Sequence, residues 1–380
     1  MSDPVYLDYN ATTPVAPEVV DAMLPFLREQ FGNPSSSHGR GQLAKAAVND
    51  ARCQVAALIG ATPDEIVFTG CATEANNLAL LGVAAASAPD KRHLVVSAVE
   101  HPAVMQPALH LRELGWAVSV IPVDGSGRVA PEAVAAALRP DTALVSIMHS
   151  NNEVGTIQPV AEIAALTRPR NIVLHTDAAQ SAGKIAVDVE ALGVDLLTLA
   201  GHKFYATKGI GALYVRAGTP IRAIIFGADQ ERGLWPGTEN VPAIVGLGMA
   251  ARLARERLPE ATTRLRRLRD RLHARLAAAI PGLVLNGHPE ERLPNTLHVS
   301  FPSVTGRMLL HAASADVAAS LGSACHSEHD AVSGVLAAMG VAAARAAGAV
   351  RLSVGMMTAD EDVDRAAAGL IAAWRRLADC

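Results

Sequence analysis

Apolar positions along this chain come in two alternating kinds of run. Short stretches rich in valine, isoleucine and leucine read as buried strands: residues 65–69, 93–97, 117–122, 143–148, 171–180, 196–199 and 212–215. Between them lie segments with apolar residues at helical spacing: 17–30 (Val20, Met23, Leu24, Leu27), 43–59, 73–81, 104–114 and 131–138. A short strand at 5–8 precedes them, and GNPSSSHGRG (32–41) reads as a turn-rich loop. Repeated strand-then-helix units imply a mainly parallel sheet covered on both faces.

The pattern changes near residue 250. Residues 253–280 are arginine-dense, with Leu265, Leu268, Leu272 and Leu276 at helical spacing. They predict a long connecting helix, interrupted near Pro259, with a solvated charged face. Beyond Pro281 the order differs: strands at 283–285, 296–301, 317–321 and 350–354, and helices at 306–313, 331–339 and from 360. The expectation is an α/β chain with a large domain over 14–255. A smaller α+β domain over 256–380 is completed by residues 1–13.

Half of the 380 residues are hydrophobic but only 3% are aromatic, so alanine, leucine and valine must fill the core. A net charge of −4 gives no electrostatic argument for nucleic acid or membrane. There is no charged-then-apolar leader, and 331–350 reads as a packed alanine-rich helix and connection rather than a membrane span. A cytoplasmic protein is expected. Cys53, Cys71, Cys325 and Cys380 form no CxxC pair or zinc pattern, so neither a disulfide framework nor a metal site is expected.

Chemistry concentrates at the ends of two apolar runs. The first, in DLLTLAGHKFYATKGIG (195–211), empties into His202 and Lys203. A lysine there is either a surface residue on a loop or a partly desolvated amine able to form a Schiff base with an aldehyde. The second, NIVLHTDAAQ (171–180), ends with Asp177 and Gln180 at its mouth. If these strands lie side by side, an acid, an amide, an imidazole and an amine meet in one crevice. Pyridoxal phosphate needs that set: a lysine for its aldehyde, an acid for its ring nitrogen, and a helix N-terminus or imidazole for its phosphate.

The chain resembles the cysteine desulfurases of the class-V aminotransferase family, within fold type I of the pyridoxal-phosphate enzymes. The matching segments are LDYNATTP (7–14), GNPSS, ATEANNLA, VEHPAV, NNEVGTIQP, HTDAAQSAGK, GHKFYATKGIGALYVR, QERG, PGTEN, SACHS and RLSVG, in the family's order over nearly the whole chain. The resemblance implies a seven-stranded-type, mainly parallel sheet, pyridoxal 5'-phosphate as cofactor, and L-cysteine as substrate. It further implies a homodimer, and transfer of sulfur as a persulfide to an acceptor protein.

It also implies roles for single residues. Lys203 holds the cofactor aldehyde, Asp177 pairs with the ring nitrogen, and Gln180 with the ring hydroxyl. His101 stacks on the ring and shuttles protons. Ala72 and Thr73, at the start of a predicted helix, and His202 bind the phosphate, joined by Thr238 from the facing subunit. Asn152 serves the ring hydroxyl and the substrate carboxylate, which Arg351 clamps. Cys325 is the nucleophile that takes the sulfur, on a segment expected to be less ordered than the core. Each has a plainer reading: Thr73 or Asp177 as a helix cap, His101 and Asn152 as turn residues, Cys325 as a core residue, Arg351 as a solvent-facing strand residue.

The chain departs from the family at several places. Ala200 stands where a phosphate-binding serine is usual, and GADQERG replaces GGGQERG. Trp235 precedes PGTEN in place of an arginine, TGCATE replaces TSGATE, Ala206-Thr207 replace Gly-Pro, and Met356 follows RLSVG. These changes suggest a divergent member with a specialised partner or an altered rate, and the short C-terminus argues against an iron–sulfur scaffold as that partner. Selenocysteine lyase activity is a second reading, because GHKFY, RLPNT and ACHS also resemble that subgroup. An aminotransferase or lyase that does not use Cys325 is a third, and a non-catalytic scaffold a fourth.

Overall fold

The apolar runs of the first two-thirds of the chain become strands of one sheet in the computed structural model, which describes residues 3–322 and 333–378. After β1 (Val5–Tyr6) come β2 (Ile66–Thr69), β3 (His93–Ser97), β4 (Ala117–Ile121), β5 (Thr142–Ser146), β6 (Val173–Asp177), β7 (Leu196–Ala200) and β8 (Gly211–Val215). Seven of these form a sheet in the order β2-β8-β7-β6-β5-β3-β4. Neighbours from β4 to β7 are parallel, while β8 runs antiparallel to both β7 and β2. Helices on both faces explain why the strand residues are apolar without alternation. Only the edge strand β4 is largely half-exposed.

One face is covered by helices Pro17–Arg28, Gly39–Leu58 and the first part of Val241–Ala279; the other by Ala72–Ala86 and Pro102–Glu113. The second part of the chain builds β9 (Val284–Asn286), β10 (Thr296–Ser300) and β12 (Ala349–Ser353) into an antiparallel sheet. β11 (Val317–Ala318) pairs in parallel with β1. Val5 and Leu7 are buried there with Leu268, Val350, Leu352 and Leu370, so the N-terminal segment packs among the last elements. Each such leucine contributes roughly 1.5–3 kcal/mol by burial.

Several boundaries differ from expectation. The helix expected at 43–59 begins at Gly39, inside what reads as a turn-rich loop. His38 caps it by accepting the Gly41 N–H, and a Cβ at Gly41 would lie 2.3 Å from the Ser36 carbonyl, so the glycine serves packing there. The connecting helix begins at Val241, capped by Asn240, and runs unbroken through Pro259 for 39 residues. Proline's local cost is outweighed because both ends are anchored, Leu247 and Ala250 in one core and Leu265 to Leu276 in the other. The strand expected at 317–321 is only two residues long. Helices Val160–Thr167 and Ala343–Ala347 were not expected. Among the described residues no helix is long and apolar enough to cross a membrane.

Candidate active site

β6 and β7 lie side by side, with Asp177 in register with Thr198. β6 therefore delivers Asp177 to the same sheet edge at which β7 ends. A single 3-10 turn, Gly201–Lys203, then carries the lysine back over that edge. Next to it, β8 opens at Gly211, where an added Cβ would sit 2.7 Å from the Cys71 carbonyl carbon and 2.9 Å from the Ala72 nitrogen. The absent side chain lets the N-terminus of helix Ala72–Ala86 come down against the sheet. That helix starts at Cys71, whose side chain makes no capping bond. Thr73 is thus not its N-cap but a residue of the first turn, where N–H groups lack intrahelical partners.

These elements enclose a cavity of about 420 Å³. Of the residues singled out in the sequence, Ala72, Thr73, His101, Asn152, Asp177 and Gln180 line it. His202, Lys203 and Arg351 line it too. Thr238 does not; it is exposed, in the turn before the long helix. Cys325 and its neighbours lie outside the described residues, while Gly322 and Gly334 on either side of them line the cavity.

Asp177 is buried, and both its oxygens are engaged: Oδ2 accepts from Asn76 Nδ2 at 2.7 Å and Oδ1 from the Ala179 N–H at 2.9 Å. It closes a turn and begins no helix. Lys203 Nζ donates to the carbonyls of Asn10 at 2.6 Å and Ala11 at 2.7 Å. His101 does occupy a cap position: its Nδ1 accepts the Ala103 N–H at 3.1 Å, at the start of helix Pro102–Glu113. Burial depresses its pKa, with Asp177 opposing and Lys203 adding to the fall. A neutral ring that accepts at Nδ1 carries its proton on Nε2. Burial, then the charges of Lys203, Lys208 and Lys184, bring His202 down to about 4, and its Nδ1 is 3.1 Å from Thr12 Oγ1. It too is neutral at pH 7.

Arg351 is not solvent-facing; it is 2% exposed. Alternation along β12 puts Val350 and Leu352 into the core and turns Arg351 toward the cavity. Its guanidinium pairs with Asp8 at 2.8 Å and donates to the carbonyls of Gly322 and Asn152.

Five further residues in or beside this site were given no role from the sequence: Asp8, Asn10, Asn76, Glu100 and Lys184. Glu100 is buried at the cavity wall and its Oε1 accepts from Ser97 Oγ at 2.5 Å and the Met148 N–H at 2.9 Å. Burial raises its pKa to about 8 against these hydrogen bonds. Asn76 offered the one local clue, a polar residue on the same helix face as Leu80 and Val83.

The residues present fit pyridoxal phosphate. An uncapped helix N-terminus offers N–H groups that would hold an anion, a buried carboxylate would serve a ring nitrogen, and a lysine amine stands at the same mouth. Asn76 Oδ1 and Glu100 Oε2, both buried and without partners among the described residues, suit walls that face a polar occupant.

Comparison with known proteins agrees with this geometry. Residues 5–366 match the aminotransferase class-V family. A curated relative from Dictyoglomus turgidum, "Cysteine desulfurase IscS", is 46% identical over 365 residues, covering 96% of this chain and 93% of its own. A solved structure described as a NifS-like protein superposes with a TM-score of 0.92 at 40% identity, over 99% of this chain and all of the other. Another, described as SspA in complex with cysteine, gives 0.83 at 36% identity over 93% and 99%. A match across nearly the full length, on a sheet that brings Asp177 and Lys203 to one cavity, places this chain in the class-V aminotransferase family.

Proposed function

We infer that this protein is a pyridoxal-phosphate-dependent cysteine desulfurase. It takes sulfur from L-cysteine, leaves L-alanine, and carries the sulfur as a persulfide on Cys325 for an acceptor protein. The substrate C–S bond breaks, an S–S bond to Cys325 forms, and a proton replaces sulfur on the product carbon. The observation that carries the reading is the convergence of Lys203 and Asp177 on one cavity beside an uncapped helix N-terminus.

Bound there, the cofactor supplies an electron-accepting ring that weakens bonds at the substrate's α-carbon. Lys203 provides the amine that joins the cofactor aldehyde and afterwards moves protons. Asp177 keeps the ring nitrogen protonated, and its burial supports that task. Ala72, Thr73 and the neutral His202 hold the phosphate, without the hydroxyl that a serine at Ala200 would add. His101 would stack on the bound ring and present its Nε2 proton, and Gln180 and Asn152 would meet the ring hydroxyl. Arg351 takes the substrate carboxylate as a planar double donor, a role its buried place at the cavity supports.

Cys325 follows the cavity residue Gly322 by three positions, within about 11 Å of chain reach. We assign the same reading a homodimer in which the exposed Thr238 serves the facing subunit's phosphate, and a cytoplasmic location. Residues 14–255 then form the cofactor-binding domain and 256–380, with 1–13, the domain bearing the thiol. The test is mass spectrometry of the holoprotein after incubation with cysteine. Added sulfur on Cys325, with borohydride fixing the cofactor to Lys203, is expected; alanine formation undiminished in Cys325→Ala would sink the persulfide step.

A further inference from the structure

Behind the cavity lies a second lysine. Lys184 is 6% exposed, and no carboxylate lies within ion-pair distance of it among the described residues. Its Nζ donates to Gln180 Oε1 at 2.8 Å and to Asn10 Oδ1 at 3.4 Å. The charges that face it are those of Lys203 and Arg351, and with burial they hold its pKa well below the ordinary lysine value. A long amine buried among neutral acceptors is costly to keep for packing alone.

Its partners lead directly to the chemistry. Gln180 gives its oxygen to Lys184, so its nitrogen faces the other way and donates to the Asn10 carbonyl at 2.9 Å. That carbonyl is the one Lys203 Nζ reaches at 2.6 Å. The Asn10 side chain is fixed from three further sides: Asn295 Nδ2 donates to its oxygen at 2.9 Å, and its own nitrogen donates to Thr296 Oγ1 at 2.8 Å and to the Asn152 carbonyl at 3.3 Å. Close packing holds the two lysine-bearing segments together, because a Cβ at Gly183 would stand 2.8 Å from Phe204 Cβ.

We propose that Lys184 is a positioning residue for the Lys203 amine, acting through the Gln180 amide and the main-chain carbonyl of Asn10. It fixes one atom of the Gln180 amide and the Asn10 carbonyl fixes the other. The amide cannot rotate, and its remaining hydrogen is aimed at the cavity. The proposal rests on the functional reading above and names the chain's own device for holding the reactive nitrogen.

The test uses holoprotein without cysteine. The absorbance of the Lys203–cofactor bond titrates with pH, and the Asn10 and Ala11 carbonyls favour the protonated form of that nitrogen. In Lys184→Met the midpoint falls by half a unit or more, and kcat drops about 10-fold while KM for cysteine changes less than 3-fold. A midpoint that rises, as loss of a neighbouring cation alone would make it, or that falls by less than half a unit overturns the proposal, even with a lowered Tm. Lys184→Gln, too short to reach Gln180, should show the same fall and serves if the methionine variant does not fold. In a Gln180→Leu background, Lys184→Met should add no further shift; an additive shift overturns the route through Gln180. Absence of any lysine-linked chromophore in the unsubstituted protein overturns the functional reading and this proposal with it. A normal chromophore with an unmoved midpoint overturns the proposal alone.

Discussion

Asn76 Nδ2 donates to Asp177 Oδ2 at 2.7 Å across 101 positions of sequence, with both residues buried. The helix that offers its N-terminus to the cavity thereby also orients the carboxylate at the cavity floor. On the function proposed above, one rigid element would thus serve both cofactor phosphate and ring nitrogen. Asn76→Ala removes a hydrogen bond to a charged group, worth roughly 1.5–3 kcal/mol. Cofactor affinity, followed by absorbance titration, should weaken 10-fold or more; an unchanged dissociation constant would show that Asp177 needs no such support.

Arg351 is held by Asp8 and two carbonyls before any substrate arrives. Arg351→Lys keeps the charge but loses the planar fork. Steady-state kinetics should show KM for cysteine raised about 10- to 100-fold with kcat changed much less. Asp8→Asn, which frees the guanidinium without removing it, should raise KM by a smaller factor.

Three buried histidines make stability fall in acid. Burial lowers His149 and His175 to about 4 and, with the charges of Arg351 and Arg345, His298 to about 3. Unfolded, each titrates near ~6.5, so below that value the unfolded chain binds protons that the folded one refuses. Their contribution is complete above pH ~6.5 and is lost as pH falls toward 4, or toward 3 for His298, on the order of 3 to 5 kcal/mol for each. Calorimetry should find Tm declining steeply from pH 6.5 to 4, and His175→Asn should reduce that slope. A flat profile would contradict it.

Glu100 works in the opposite sense. Its carboxyl titrates near 8 when folded and near the ordinary 4.5 when unfolded, so its stabilisation is whole below 4.5 and is lost as pH rises toward 8. Glu100→Gln keeps the shape without the proton that leaves. Urea unfolding should find the variant more stable than the parent at pH 9 and by a smaller margin, or none, at pH 6. Equal differences at both values would mean Glu100 is ionised in the fold.

The sheet was legible because its strands are mostly apolar, and polar residues mark the end of β6 at Asp177 and follow β7 at His202 and Lys203. The start of helix Gly39–Leu58 was not, because glycine chosen for close approach to Ser36 looks like glycine chosen for a turn. Nine residues singled out around the cavity do stand at its wall. Asn10 and Lys184 escaped notice because their partners lie up to 343 positions away, a distance over which no spacing rule operates. Glu231 is similar: buried, it pairs with Arg52 at 2.6 Å and accepts the Phe68 N–H, and nothing nearby in sequence marks it.

The cavity takes walls from both extremities of the polypeptide. Asn10, from the first turn of chain, is pinned by Thr296 and by Ser353, whose hydroxyl accepts the Asn10 N–H at 3.0 Å. Arg351 arrives from β12, the last strand. During synthesis, therefore, the growing polypeptide can complete the large sheet and expose Lys203 well before the residues that finish the enclosure have left the ribosome. A ligand of this cavity meets finished walls only once Arg351 has left the ribosome, and a truncated product ending before Arg351 would display the amine in an open trough.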